Sequence, residues 1–358
     1  MKSVFIAVLV FFIVAVAYVV WHLWRLTPGG WGPRLTVSLL FVLWMVAAFA
    51  SMGLRSRAPI SLITALYEIG HPWMIVWLYL LIAFIVADLG VLVGIVPKGA
   101  LVGNGRTLAG LLGVITLVLT AGGIHYHHKY REELTIRTEK PLNRPLTIVL
   151  ASDLHLGYSN RKGELLRWIE LINAENPDLV LFGGDVVDMQ VRPLLEENYA
   201  EAFSRLQAPV YTVLGNHEYI GKESDAEAFF AEAGITLLRD SVAHFEGVTL
   251  IGRDDRSNPR RRPLSELAGH PDGFSILLDH QPFHLEEAEA AGIDFQFSGH
   301  THRGQVWPLS WVTDAMYEKS WRHHRRGDTR YYISSGLGIW GPKIRIGTRS
   351  EYLVLHIQ

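Results

Sequence analysis

The chain has 358 residues, 33 Lys and Arg against 35 Asp and Glu, and no Cys. Lack of Cys excludes disulfides and thiolate metal sites, and a net charge of −2 gives no support to a nucleic-acid binder. Hydrophobic residues make up 49% of the chain but are concentrated before residue 125, so a membrane part and a polar part are expected.

The first part holds four apolar runs, each long enough to cross a bilayer as a helix. Residues 4–23 end in Trp21, Trp24 and Arg25, an interfacial anchor; the run is too long for a signal peptide and no small-residue cleavage site follows. Pro28 to Pro33 is a turn. The second run, 35–54, is closed by Arg55 and Arg57, the third is 72–96, and the fourth is 108–124. Gly110, Gly113, Gly122 and Gly123 in the fourth would let helices approach closely. An all-α transmembrane region of four helices is therefore expected over 1–125. Asp88 lies inside the third run. It is either a functional intramembrane carboxylate or the partner in an interhelical hydrogen bond, and the runs contain no second strong charge to pair with it.

Four spans place both ends of this region on one side. Lys2, Arg55, Arg57, Lys129, Arg131, Arg137 and Lys140 fall on that side, against Arg25, Arg34, Lys98 and Arg106 on the other. The bias puts the polar half in the cytoplasm. Residues 126–145 are polar, end in Pro141 and Pro145, and read as a juxtamembrane connector in which His127, His128 and Lys129 meet lipid headgroups or water.

From residue 146 apolar strand-like runs alternate with helical patterns at 163–173, 193–206, 224–233 and 285–291, the rhythm of a layered α/β domain over 146–358. Short runs at 331–334, 343–346 and 352–357, separated by glycines, are expected to be strands closing the far side of the sheet. Four runs end in chemistry. Residues 146–151 lead to Asp153 and His155, 178–182 to Gly183, Gly184 and Asp185, 210–214 to Gly215, Asn216, His217 and Glu218, and 293–297 to Gly299, His300, Thr301 and His302. Ligands of α/β sheets bind outside the carboxyl ends of strands. With His280, the candidate donors are Asp153, His155, Asp185, Asn216, His280, His300 and His302. Oxygen and imidazole donors suit Mn, Fe or Zn better than Ca. Seven exceed the need of one tetrahedral ion and fit two ions sharing a carboxylate, an arrangement suited to in-line displacement at phosphorus. Gly183, Gly184 and Gly299 allow the backbone to crowd the ions.

These blocks, in this order, resemble the signature of the calcineurin-like metallophosphoesterases over residues 146–358. Ser298 to Gln305 and the glycine-rich stretch Ser334 to Pro342 are similar to a membrane-associated bacterial branch, related to transmembrane proteins carrying a metallophosphoesterase domain. The resemblance implies a four-layer α/β/β/α sandwich and a hydrolase with two divalent metal ions, manganese first, iron or zinc as alternatives. It assigns Asp153, His155 and His302 to one metal, Asn216, His280 and His300 to the other, and Asp185 to both. Water activated by the metals would attack phosphorus, and His217, not itself a ligand, would serve as general acid or as a cation beside the phosphoryl group. Asp188 would support a ligand or cap a helix, Glu218 would orient a ligand, and backbone near Thr301 would assist. Every ligand position is intact, which argues against an inactive scaffold. A transporter with a regulatory domain has only Asp88 in its favour.

Arg303 reaches a substrate phosphate or makes a surface ion pair. Two basic clusters, Arg260 to Arg262 and Arg322 to Arg326, including Arg325, bind an anionic headgroup or are solvated. Trp307, Trp311, Met316, Tyr317 and Trp321 form a lipid-facing lip or ordinary packing. Four spans and such a lip point to a lipid-linked phosphodiester or pyrophosphate, of the kind of UDP-2,3-diacylglucosamine, in a bacterial inner membrane. The alternative is a general phosphatase tethered to the membrane.

Overall fold

Uninterrupted apolar runs without β-alternation form helices, and Pro and Gly set their ends. The structure, a computed structural model, describes residues 2–269, 271 and 273–358, with side chains from Phe5 onward. It divides into two units between Ala121 and Gly122.

The first unit contains α1 (Lys2–Leu26), α2 (Trp31–Leu54), α3 (Ile60–Gly70), α4 (Pro72–Leu92) and most of α5 (Gly105–His127). Among the described residues, four helical stretches are long and apolar enough to cross a membrane. The third runs from Ile60 to Leu92, α3 leading into α4 at His71, and not from 72 to 96. Glu68 breaks the apolar pattern there without breaking the helix, and Pro72 sits where its missing N–H costs nothing. Gly94, at φ 79°, turns the chain before Val96. The fourth begins at Gly105 because Asn104 caps it, its Oδ1 accepting from the N–H of Arg106 and Thr107 at 3.2 Å.

Val19, Leu23, Phe41, Trp73, Val76, Leu80, Phe84 and Ile115 form the core of this unit. Asp88 accepts a hydrogen bond from Tyr18 Oη at 2.6 Å and lies 3.0 Å from His22 Nε2, so it joins α4 to α1. His22 is the polar partner that a count of formal charges overlooks. A Cβ on Gly110 or Gly113 would meet nothing within 4 Å, so these glycines do not mediate close packing.

The second unit holds twelve strands: β1 (Lys129–Ile136), β2 (Leu146–Ala151), β3 (Leu179–Phe182), β4 (Val210–Thr212), β5 (Thr236–Leu237), β6 (Ser241–Phe245), β7 (Val248–Gly252), β8 (Phe274–Leu278), β9 (Phe295–Ser298), β10 (Arg322–Arg326), β11 (Thr329–Ile333) and β12 (Ser350–Ile357). They form two six-stranded mixed sheets, ordered β1-β12-β2-β3-β4-β5 and β10-β11-β9-β8-β7-β6. The helices are α6 (Lys162–Ala174), α7 (Arg192–Glu196), α8 (Tyr199–Phe203), α9 (Asn216–Gly221), α10 (Glu223–Glu232), α11 (Leu264–Ala268), α12 (Leu285–Ala290) and α13 (Leu309–Met316).

Side chains alternate across a strand, and this produces three cores. Ile148 and Leu150 of β2 and Leu179 and Leu181 of β3 face the other sheet, meeting Leu250, Ile276, Phe295 and Phe297. Their neighbours Val149, Ala151, Val180 and Phe182 face outward onto Trp168 and Ile169 of α6, Phe203 of α8 and Phe229 of α10. Ile251, Leu277, Tyr331 and Ile333 cover the opposite outer face beneath α11 and α12. Three cores separate four layers, helix, sheet, sheet, helix, as the resemblance implied.

Four local expectations change. The stretch read as a connector contains β1, which pairs in parallel with β12 from Lys129 to Ile136, so only His128 separates α5 from the sheet. The tail does not close a far side: β12 lies between β1 and β2, and β11 joins the other sheet. Residues 343–346 form no strand beyond an isolated bridge from Ile346 to Val306, because the buried Arg345 holds them in a loop. The helix expected over 193–206 is two helices, α7 and α8, parted at Asn198, whose φ is 51°.

Candidate metal centre

Strands β2, β3, β4, β8 and β9 end at one rim, and the loops that follow them carry the candidate donors. Three groups of donors each lie within 4.8 Å of one another: Asp153, His155 and His302; His155, Asp185 and His217; Asp185, His280 and His300. Asn216 Oδ1 is 2.7 Å from His300 Nδ1. All seven sequence-derived donors are therefore brought together, with Asp185 in two of the three groups.

The loops are forced into this arrangement. Asp153, His155, Asp185, His300 and His302 all have positive φ, between 44° and 70°. A Cβ on Gly299 would fall 1.8 Å from Ser152 Oγ, and one on Gly215 would fall 2.1 Å from Asp185 Oδ1, so both positions require glycine. Backbone N–H groups hold the carboxylates: His300 donates to Asp153 at 3.1 Å and His217 to Asp185 at 2.9 Å. Ser152 Oγ also donates to Asp153. Glu218 accepts from the N–H of Val187 and Gly215 and so braces two site loops.

The imidazoles have defined roles. His280 Nδ1 lies 2.7 Å from the Gly183 carbonyl, which only accepts, so Nδ1 carries the proton. Its buried Nε2 has no hydrogen-bond partner among the described residues and faces Asp185 Oδ2 at 3.2 Å. A lone pair and a carboxylate oxygen at that distance require a cation between them, a proton or a metal ion. His302 Nδ1 likewise faces the Ser335 carbonyl at 3.3 Å, leaving Nε2 3.5 Å from Asp153 Oδ1 and 3.1 Å from His155 Nε2. Imidazoles oriented by carbonyls in this way are the usual support of metal ligands. The donors present fit divalent ions.

Without metal, protons fill the gaps. Burial alone would lower His155, but Asp153, Asp188 and Asp185 outweigh it and hold the ring up at about 10. Asp185, Asp153 and Asp255 raise His280 in the same way against its burial. Burial lowers His300 to about 4, helped by His280, and lowers His302 to about 3. Asp153 and Asp185 stay well below the ordinary carboxylate range despite burial, held there by the surrounding imidazoles.

His217 lies in the first turn of α9, and its Nδ1 is 2.9 Å from Asp188 Oδ1. Asp188 is buried, which would raise it, but hydrogen bonds to His155 and His217 keep it ionised. It thus orients the candidate general acid.

Residues 146–304 match the family Calcineurin-like phosphoesterase. A metallophosphoesterase of Bacillus subtilis, YkoQ, is 30% identical over 229 residues, which cover 59% of this chain and 83% of the relative. The chain belongs to the calcineurin-like metallophosphoesterases. A metallophosphoesterase of Helicobacter pylori is 30% identical over 60% of each chain, and a transmembrane protein with metallophosphoesterase domain from Danio rerio is 32% identical over 58% of this chain and 52% of that one. The match thus spans about three-fifths of the first and half of the second. The apolar helices and the transmembrane relatives together point to membrane association.

The second-tier residues separate. Arg303 and Arg322 line a surface pocket of about 490 Å³ and both guanidinium groups lie over Trp321, at 4.4 and 4.1 Å. Arg325 and Arg326 sit on the edge strand β10 and are spent on Asp328 and on Glu318 and Glu289. Trp321 is half-buried and donates to Glu351, whereas Trp311 and Met316 are 66% and 61% exposed. Thr301 contributes its side chain, which donates to the Ser320 carbonyl at 2.6 Å.

Two buried residues escaped the sequence reading. Asn160 Nδ2 donates to the carbonyls of Leu154, His155 and Ile339, while its Oδ1 accepts from Tyr126. Arg345 donates to the carbonyls of Ser335, Gly336, Gly338 and His302, and its N–H donates to Gly122. Each fastens a donor loop of this metallophosphoesterase to the last turns of α5. Their only sequence signal is a lone polar residue among glycines and apolar residues.

Proposed function

We propose that this metallophosphoesterase hydrolyses a phosphoester or pyrophosphate with two divalent metal ions, on a substrate that carries a lipid. Support comes first from the bare Nε2 of His280 facing Asp185 Oδ2, within two donor groups that meet at Asp185. Asp153, His155 and His302 would hold one ion, Asn216, His280 and His300 the other, and Asp185 both. The mixed oxygen and imidazole set suits Mn, with Fe or Zn as alternatives. When bound, such ions acidify water and neutralise charge on phosphoryl oxygens.

The chain's own groups supply positioning and the leaving-group proton. Asp188 accepts from His217 Nδ1–H, which leaves Nε2 to carry the proton for the departing oxygen. The short hydrogen-bonded loops around Asp153 and Asp185 keep the donors in place before substrate arrives.

The lipid part of the proposal is supported by α13. That helix follows the His302 turn closely, and Trp307, Trp311, Val312 and Met316 are all exposed near it. Exposed aromatic and aliphatic groups clustered beside a polar site suit an acyl chain. Arg303 and Arg322 would meet an anionic headgroup. The charge bias of the spans and loops supports a cytoplasmic position for the hydrolase unit, on the inner membrane of a bacterium.

The test uses full-length protein in liposomes with Mn²⁺, comparing one phosphate headgroup on a long-chain lipid and on a short soluble chain. The long-chain substrate should have the higher kcat/KM, and Trp311→Ala with Met316→Ala should erase the difference. Equal values in the unaltered protein would leave a tethered general phosphatase. No Mn²⁺-dependent release of nitrophenolate from nitrophenyl phosphates would overturn the hydrolase reading itself.

A further inference from the structure

The loop after β7 builds a cavity that the proposed chemistry does not use. Strands β7 and β8 pair in parallel, so the loop from Arg253 leaves the same rim from which His280 emerges. The cavity measures about 530 Å³ and is lined by Arg253, Arg256, Arg261, His284 and Glu287, with Pro263 and Leu264 as apolar wall. That volume lies within the range of small-molecule sites.

Two of the three arginines are spent. Arg253 is paired with Asp279 at 3.3 Å and Glu287 at 2.5 Å, and Arg261 with Asp279 at 3.2 Å. Arg256 differs. Its guanidinium lies 4.1 Å from the centre of the Phe283 ring, and its buried Nη1 has no hydrogen-bond partner among the described residues. That nitrogen is shielded, but Arg256 as a whole is only half-buried and lines the cavity, so its guanidinium charge is open to an anion there. With two arginines matched by two carboxylates, the remaining positive charge of the cavity is that of Arg256.

Ring contacts connect it to the metal centre. Phe283 packs on Tyr317 with centroids 4.6 Å apart, and Tyr317 stands 6.2 Å from the ring of His300. A substrate group extending from the metal centre over Tyr317 and Phe283 would arrive at Arg256. We propose that this cavity is a second anion subsite, in which Arg256 anchors a phosphate that the substrate carries beyond the scissile one. Guanidinium is suited to this, since its planar fork matches a phosphate. The inference rests on the phosphoester reading and narrows the substrate class to molecules with two separated phosphoryl groups.

The test is calorimetric binding to the full chain in detergent, loaded with Mn²⁺, and needs no turnover. The probes are thymidine 5′-monophosphate and thymidine 3′,5′-bisphosphate, which differ by one remote phosphate. The bisphosphate should bind about tenfold more tightly, the scale of one charge-assisted contact. Arg256→Met should bring the ratio close to one, and Arg256→Lys should give an intermediate ratio. Arg325→Met, on the edge strand and away from the cavity, should preserve the full ratio and so exclude a bulk charge effect. A ratio near one in the unaltered protein, or a full ratio in Arg256→Met, overturns the subsite. Loss of Mn²⁺-dependent binding of the monophosphate itself would instead count against the metal-phosphate reading beneath it, and the bisphosphate ratio would still judge Arg256.

Discussion

Left-handed backbone at non-glycine residues costs on the order of 1–3 kcal/mol each, and it persists only where surrounding contacts impose it. Asp153, His155, Asp185, His300 and His302 all adopt it. The imposing contacts are visible in the N–H donors to Asp153 and Asp185, in Glu218 bracing two loops, and in Asn160 beneath His155. Removing the shared carboxylate should undo more than removing the proton donor. Asp185→Ala should retain neither metal ion by elemental analysis, while His217→Ala should retain both and lose turnover by about 10²–10⁴. The loss at His217 should shrink when the leaving group is nitrophenolate, which needs no proton. Metal loss in His217→Ala would make that residue a ligand.

The same residues set a pH dependence. His155, held at about 10, and His280, also raised, keep protons near neutrality that the unfolded chain sheds above about 6.5. In metal-free protein the contribution of His155 is complete below about 6.5 and is lost as pH rises through about 10, and that of His280 is likewise lost only as pH rises above its ordinary value. His300 and His302, at about 4 and about 3, act oppositely, since the unfolded chain gains protons below about 6.5 that the native site refuses. Metal binding at pH 7.5 should therefore displace close to two protons, from His155 and His280, and tighten as pH rises. Calorimetry in buffers of different ionisation enthalpy reads this directly, and a count near zero would contradict the carboxylate control of those rings.

At the scale of elements, the loop from Ser334 to Arg349 depends on one buried cation. Arg345 is fully buried, and burial brings its guanidinium down to about 10 while Glu351 and Tyr126 oppose the fall. Its donors reach His302 directly and, through the Ser335 carbonyl, the atom that orients the His302 ring. Arg345→Met should weaken affinity for the first metal ion by about 10–100-fold, the usual effect of losing a group that orients a ligand. Arg345→Lys should recover little, since an ammonium cannot span four carbonyls. Unchanged affinity alongside a lowered melting temperature would reduce Arg345 to a structural role.

At the scale of the whole molecule, the four apolar helices and the Lys and Arg bias predict both ends of the described chain on the cytoplasmic side. A reporter fused after Gln358 should be active in its cytoplasmic form. Activity of an export-dependent reporter at that position would mean an inverted bundle or an odd number of spans.

Some of this molecule is written locally. The four apolar stretches were legible because membrane crossing depends on length and hydropathy within one segment. The donor blocks were legible because each follows its own strand, and the pleat that buries Ile148 and Leu150 also delivers Asp153 and His155 to the rim. Residues whose meaning depends on distant partners were not legible. Arg256, Arg261 and Arg326 look alike as basic residues in sequence, but Arg326 meets Glu289 and Glu318, Arg261 meets Asp279, and Arg256 keeps one donor unpaired. Arg345 and Asn160 look unremarkable until the loops fold over them. The sequence by itself determined that there are four apolar spans, the alternation that builds two sheets and the set of candidate metal donors, because these are properties of neighbouring residues. Only the tertiary structure decided which charges are neutralised and which are left for a ligand, because that balance is struck between residues that lie on different elements of the fold.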